Sequence, residues 1–429
     1  MNLFDWQKNC LNQLVQSEAP HAILSDPGTG KTLVAMELAQ RSKKHLVVIA
    51  PNRVHKQWKT EAVKFYGNDK FLDTFYFEQI RTDKGKQALK DVLFAKDCIL
   101  VIDESHRIKN HQTKTFKICL AAGKVAKRRI IMTGSPIANS PADMWSQFCF
   151  LFGKDKMESY TDFCNEYIEF LPSNHPMVRS LPGRPRIPAR DKQGKIITKN
   201  LDDLKQRISA VSTQVTAAEC RDIPEVTYTT IECKLSRELR TAYNSMEQEM
   251  MMNIQEQLIT ADNVISMLTR LSMLTSGIAT AELGTVFDNP KKQDLLSILN
   301  NHEDVPAIVW TRWKDEYRQV LDLLIEHGYK VTSDAVVFQD GLADIFLSSP
   351  AQGGTGLNLT RAKLQIWVSR SWSAIERTQA LARNNRAGQD ANHLHVYDLV
   401  AQNTIDQRIM QALHDKEDLL NTILTKRKL

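Results

Sequence analysis

Ser25-Asp26-Pro27-Gly28-Thr29-Gly30-Lys31-Thr32 is the stretch on which the reading of this chain turns. It follows the apolar run Ala22-Ile23-Leu24 and precedes Leu33 to Ala39, whose apolar spacing predicts a helix, so it stands at a strand-to-helix corner. Such a corner suits a polyphosphate. Gly28 and Gly30 let backbone N–H groups turn inward, the helix start adds positive potential, Lys31 reaches the outer phosphates, and the Thr32 hydroxyl can hold Mg²⁺. Ser25 stands where the full Walker form has glycine, so the match is to the variant with a small residue first.

Length and composition set the frame around that loop. At 429 residues and 42% apolar, the chain is too long for one ordinary core, and two lobes are expected. No apolar run approaches the ~20 residues that span a bilayer. The start, Met1-Asn2-Leu3-Phe4-Asp5, lacks the regions of a signal peptide, so a soluble, cytoplasmic protein without a membrane partner is expected. Seven scattered cysteines, with no C-x-x-C pair, read as reduced packing residues. The formal charge of +6 suits a polyanion without identifying one.

Around the loop, further segments carry candidate chemistry. Leu3 to Gln7 opens an amphipathic helix, and Gln7 either presents its amide edge to adenine or is an ordinary surface glutamine. His45 to Ala50 is a buried-strand pattern, and Arg53 and Lys56 follow it as candidates for a phosphodiester backbone. Trp58 is a further candidate there or a packing anchor. Cys98 to Ile102 runs into Asp103-Glu104-Ser105-His106, the carboxylate pair that phosphoryl transfer to water requires. Asp103 can hold Mg²⁺ through its water shell and Glu104 can deprotonate the attacking water. His106 either couples this site to the rest of the lobe or is structural. Thr133 and Ser135, ending the strand from Arg129, either sense the γ-phosphate or form a capped turn.

These segments resemble the Snf2 branch of superfamily 2 DNA translocases. Trp6-Gln7, SDPGTGKT, VVIAPNRVHKQW (47–58), DESHRIKN (103–110) and TGSPIANSPADMW (133–145) are similar to that family's motifs, in its order. Phe346 to Ser349, Gly353 to Leu359, and Gln379-Ala380-x-x-Arg383-x-x-Arg386-Ala387-Gly388-Gln389 are similar to its fifth and sixth motifs. The resemblance covers most of residues 1 to 170 and 205 to 420. It implies an α/β fold of two RecA-like, doubly wound parallel-sheet lobes with a helical and basic-loop insertion between them. It also implies a DNA-stimulated ATPase using ATP and Mg²⁺. Expected nucleotide-binding residues are Gln7, Pro27, Gly28, Thr29, Gly30, Lys31, Thr32, Gly356 and Gln379, with Thr32 and Asp103 at the metal. Expected coupling residues are His106, Thr133 and Ser135. Arg53, Lys56, Arg312, Thr355, Arg184 and Arg186 are expected to contact DNA. Arg383 and Arg386, three apart, are expected on one face of a helix, directed at the γ-phosphate; such arginines contribute about 10³ to 10⁵ in rate in related systems.

Departures from the family pattern are specific. Pro27 lies in a shorter loop, Ser105 stands where alanine is usual, and Thr213 to Thr216 replaces an Arg-Arg-x-Lys cluster. Residues 329 to 338 lack a strand-turn segment. No catalytic group is lost, and a minimal phage or bacterial member is expected.

The segments expected are an N-terminal lobe over 1–170, a basic Pro-rich loop over 171–200, a helical protrusion over 201–288, and a second lobe with a terminal helix over 289–429. Between Arg179 and Lys199 seven basic residues face the single acid Asp191, and five prolines fall within 171–200, so no core is expected there. Leu235, Leu239, Tyr243, Met246 and Met250 recur at helical spacing, with Val264, Leu268 and Leu271 on a partner helix. The leading expectation is a translocase on double-stranded or branched DNA, acting as a monomer, that drives branch migration or fork reversal or displaces bound proteins. A strand-separating helicase, the motor of a restriction-like complex, and a nucleotide-switched scaffold are the alternatives.

Overall fold

The computed structural model describes residues 3–179, 183, 185–191, 195–220, 224–255, 261–278, 287–353, 357–386 and 389–424. They fall into two compact units, residues 1–222 with 415–429 and residues 223–414.

The first unit is built on a six-stranded sheet. Its strands are β1 (His21–Ser25), β2 (His45–Ala50), β3 (Leu72–Tyr76), β4 (Cys98–Asp103), β5 (Arg128–Met132) and β6 (Ser212–Val215), in the order β3-β2-β4-β5-β1-β6. Every pairing is parallel. Continuous apolar runs form these strands because both faces are covered. Ala22, Leu24, Val47, Ile49, Leu100 and Ile102 enter one core with Phe116, Trp145 and Phe148. Their neighbours Ile23, Val48, Ile99 and Val101 enter the other with Leu11, Val34, Leu38 and Trp58.

The second unit repeats the plan with β7 (Glu225–Cys233), β8 (Ala307–Trp310), β9 (Val331–Thr332), β10 (Ile345–Ser348), β11 (Leu364–Trp367) and β12 (His393–Ala401). The order is β7-β12-β11-β8-β10-β9, again all parallel. Residues 329–338 do contribute a strand, but β9 has only two residues, Val331 and Thr332. Helices Arg237–Gln255 and Ala261–Leu274 pack through Leu239, Tyr243, Met246, Met250 and Leu271 onto Ile405, Ile409 and Leu413. Among the described residues no helix is long and apolar enough to cross a membrane.

The units divide the chain differently from the segments expected. Residues 201–215 lie in the first unit: Leu204 and Ile208 enter its core, and β6 pairs with β1 from Ala22↔Ser212 to Ser25↔Val215. Strand β7, placed by the sequence in a helical protrusion, runs alongside β12 over nine residue pairs. Both are edge strands with mixed polar faces, which leave weak period-two signals. The basic segment also has structure. Antiparallel bridges join Ile168 to Thr198, Phe170 to Pro188 and Arg190 to Ile196, and Phe170 and Ile196 pack on Ala142, Cys164 and Ile168. Backbone hydrogen bonds and a small shared cluster thus do what an apolar pattern would otherwise have done.

A half-buried histidine gives the first unit a pH dependence. His21 meets the Thr213 hydroxyl at 2.9 Å, and burial, reinforced by the Arg128 charge, pushes its imidazole down to about 4 from 6.5. The unfolded chain therefore takes up the proton first as pH falls. Stability is full above about pH 6.5 and declines by up to about 1.4 kcal/mol per pH unit toward pH 4. Urea midpoints at pH 7.5 and 5.0 should show that loss in the wild type and a smaller loss in His21→Gln.

Candidate nucleotide and hydrolysis site

In the first unit the expected loop closes on itself through its own backbone. Gly28 and Gly30 sit at φ 81° and 87°, the left-handed region that glycine enters without penalty, and Gly30 caps helix Lys31–Ser42. The Lys31 ammonium donates to the carbonyls of Ser25 at 2.5 Å and Asp26 at 3.0 Å. Burial lowers its pKa against the raising charges of Glu104, Asp103 and Asp26. A polyphosphate offers this ammonium charged acceptors in place of two neutral ones. Thr29 donates to Asp26 O at 2.8 Å and Ser25 Oγ at 3.0 Å, while Pro27 packs beside Gly134. Thr32 follows Lys31 in the first turn of the helix.

Gln7 lies against the loop. It is buried, and its amide nitrogen donates to Gly30 O at 3.1 Å while its oxygen accepts from Phe4 N at 2.9 Å. A Cβ at position 30 would come within 2.6 Å of that nitrogen. Gln7 thus braces the loop.

Asp103 ends β4, and both its oxygens are held: Oδ2 accepts from the Trp58 indole at 3.0 Å and Oδ1 from Glu104 N at 3.0 Å. Burial, then the neighbouring Glu104 charge, pushes its carboxyl above the ordinary range. Trp58 is buried, so it serves as anchor and as donor to this carboxylate. Among the described residues no group of three or more His, Cys, Asp or Glu side chains is arranged to hold a metal ion.

Glu104 has the left-handed conformation φ 52°, ψ 53°. Its Oε2 lies 3.3 Å from His106 Nδ1, which also lies 3.2 Å from Thr133 Oγ1. Burial, then the Arg107 and Lys109 charges, pushes His106 down to about 3, so the ring is neutral at pH 7. Ser135 N donates to Thr133 Oγ1 at 3.1 Å, which joins Glu104, His106, Thr133 and Ser135 in one chain. Such a chain can hold a carboxylate basic and aimed while reporting on the β5 end.

In the second unit, Arg383 and Arg386 are brought together, but not on a helix. Helix Ala374–Leu381 stops before them, because Asn384 and Asn385 favour a turn and Asn384 gives its amide to Ala362 O at 3.1 Å. Both guanidinium groups donate to Leu357 O, at 3.4 and 3.2 Å, and Arg383 Nε donates to Gln379 O at 2.8 Å. Gln365 and Gln389 brace the turn, with Gln389 donating to Ala362 O at 2.9 Å and Gln365 bonded to Asn384. Gln365 carried no local sequence signal, whereas Gln389 ends the motif that holds both arginines.

The residues expected on DNA belong to separate elements. Lys56 is exposed on helix Asn52–Tyr66, which also contains Arg53. Arg186 stacks 4.0 Å from the Phe170 ring centroid and donates to Asn165, so the basic segment uses it as an internal tie. Arg312 is half-buried and lies 4.2 Å over Trp313. Arg184, Thr355 and Gly356 lie outside the described residues.

The chain is similar to several known proteins. The SNF2-related domain matches residues 95–277, and the type III restriction enzyme res subunit matches residues 1–138. An uncharacterized ATP-dependent helicase of Mycoplasma genitalium is 25% identical over 94% of this chain and 40% of its own length. The DNA repair and recombination protein RAD54B of Gallus gallus is 23% identical over 94% of this chain and 51% of its own. The chain thus spans about half or less of these relatives. A Sulfolobus solfataricus SWI2/SNF2 ATPase core, solved in complex with dsDNA, aligns over 99% of this chain and 97% of its own, with 22% identity and a TM-score of 0.42.

Proposed function

We propose, from the premise that this chain is a helicase-like ATPase of the SNF2-related kind, that it translocates along double-stranded DNA. Its output would be remodelling of DNA, by branch migration or fork reversal, or displacement of bound proteins. The observation that carries the reading is the chain Glu104–His106–Thr133, which gives a hydrolytic base a route to the rest of its unit. RAD54B, named for DNA repair and recombination, supports DNA as the partner.

In this reading the backbone of Gly28 to Thr32 cradles ATP phosphates and Lys31 exchanges its carbonyl partners for the outer ones. Thr32 and Asp103 would hold Mg²⁺, which supplies charge neutralisation on the transferring phosphoryl group. Glu104 takes a proton from the attacking water, with the neutral His106 ring beside its Oε2. Arg383 and Arg386 leave the Leu357 carbonyl for the phosphoryl oxygens, where their charge offsets the charge that develops.

ATP turnover measured with blunt duplex, branched and single-stranded DNA tests the proposal. Duplex stimulation is expected, with Arg383→Ala and Arg386→Ala each losing about 10³-fold or more. Stimulation by single strands alone would overturn it. The restriction-subunit match over residues 1–138 favours a second reading, the motor of a restriction-like complex, which a stable nuclease partner would establish.

A further inference from the structure

The turn that carries Glu104 is held at two places, and only one of them involves His106. A non-glycine residue keeps the left-handed conformation of Glu104 only where its surroundings fix it. Immediately after it, Ser105 is fully buried and its hydroxyl lies 2.7 Å from Gln147 Oε1. Gln147, fully buried on helix Asp143–Phe152, donates from Nε2 to Pro136 O at 2.7 Å and to Asp143 O at 3.0 Å. These carbonyls can only accept, so the amide nitrogen must face them and the Ser105 hydroxyl must donate to its oxygen. One turn earlier on the same helix, the Asp143 carboxylate accepts from Ala138 N and Asn139 N, both at 2.8 Å. The helix therefore grips the loop after β5 with Asp143 and Gln147, and grips the residue next to Glu104 with the other end of the same amide.

We infer that Ser105 and Gln147 are positioning residues that aim Glu104, through a link parallel to His106–Thr133. The inference rests on the reading of Glu104 as the hydrolytic base. A link of this kind acts on rate and not on nucleotide affinity, because it sets where the carboxylate meets the attacking water. Misplacement of a reacting group by about 1 Å costs about 10²-fold.

The test is steady-state ATP turnover at saturating duplex DNA, with urea midpoints measured on the same preparations. Ser105→Ala and Gln147→Met should each lower kcat about tenfold with KM for ATP within about twofold of wild type, and the double variant should be no slower than either. Ser105→Thr keeps the donor but crowds a fully buried site, so its kcat should exceed that of Ser105→Ala even where its stability is lower. A purely structural role predicts the reverse order, with kcat following stability. The inference is overturned if kcat follows stability, if both single variants turn over within twofold of wild type, or if their deficits multiply in the double variant. Turnover that survives Glu104→Gln would instead overturn the reading of Glu104 itself.

Discussion

Glu104→Gln should lower DNA-stimulated ATP turnover by about 10²- to 10⁴-fold while ATP binding persists, the loss associated with removal of a general base. The amide keeps the size and the αL backbone of the residue but cannot take a proton from water. The hydrogen bond between His106 Nδ1 and Thr133 Oγ1 does not involve the replaced atom, so it survives. The variant should therefore hold ATP and DNA together in a long-lived complex. Single-turnover hydrolysis and nucleotide retention on a filter would check both halves; fast turnover in the variant would remove Glu104 from the chemistry.

Lys291→Met should destabilise the second unit by about 3–5 kcal/mol, the cost of leaving a buried charge without its partner. Lys291 is fully buried and its ammonium lies 2.6 Å from Asp406 Oδ2. Asp406 also accepts from Thr275 Oγ1 at 2.9 Å and from Ala401 N at 3.2 Å, so it ties helix Ala261–Leu274, β12 and the terminal helix to one carboxylate. Burial alone would raise its pKa, but the Lys291 and Arg370 charges hold it below the ordinary carboxylate range. A stability of about 5–15 kcal/mol for a domain leaves little margin for such a loss. Urea unfolding should show an early transition in Lys291→Met and a partial return in Lys291→Met/Asp406→Leu. An unshifted midpoint in the single variant would mean that the charge is solvated there.

Both effects concern residues of very different visibility in the sequence. The placement of Lys31, Asp103 and Glu104 was legible because each follows an apolar strand that ends in a turn. The Met-rich helix pair was legible by its period. Trp58 was visible as an aromatic residue, but its bond to Asp103 was not, since 45 residues separate them. Gln147 and Lys291 gave no signal, because a buried amide or ammonium looks like a surface one until its partners are known. The basic segment showed its charge and hid its antiparallel bridges, which belong to backbone groups that every sequence has.

By itself the sequence determined the two parallel α/β units and the turns at the ends of β1, β4 and β5, where continuous apolar runs force strands to be covered on both faces. Only the tertiary structure decided that Gln7 braces the phosphate loop, that Arg383 and Arg386 share the Leu357 carbonyl in a turn, and that β6 and β7 close opposite sheets. Periodicity reports which face a residue turns to the core. Hydrogen bonds between residues far apart in the chain leave no period, and they aim these side chains.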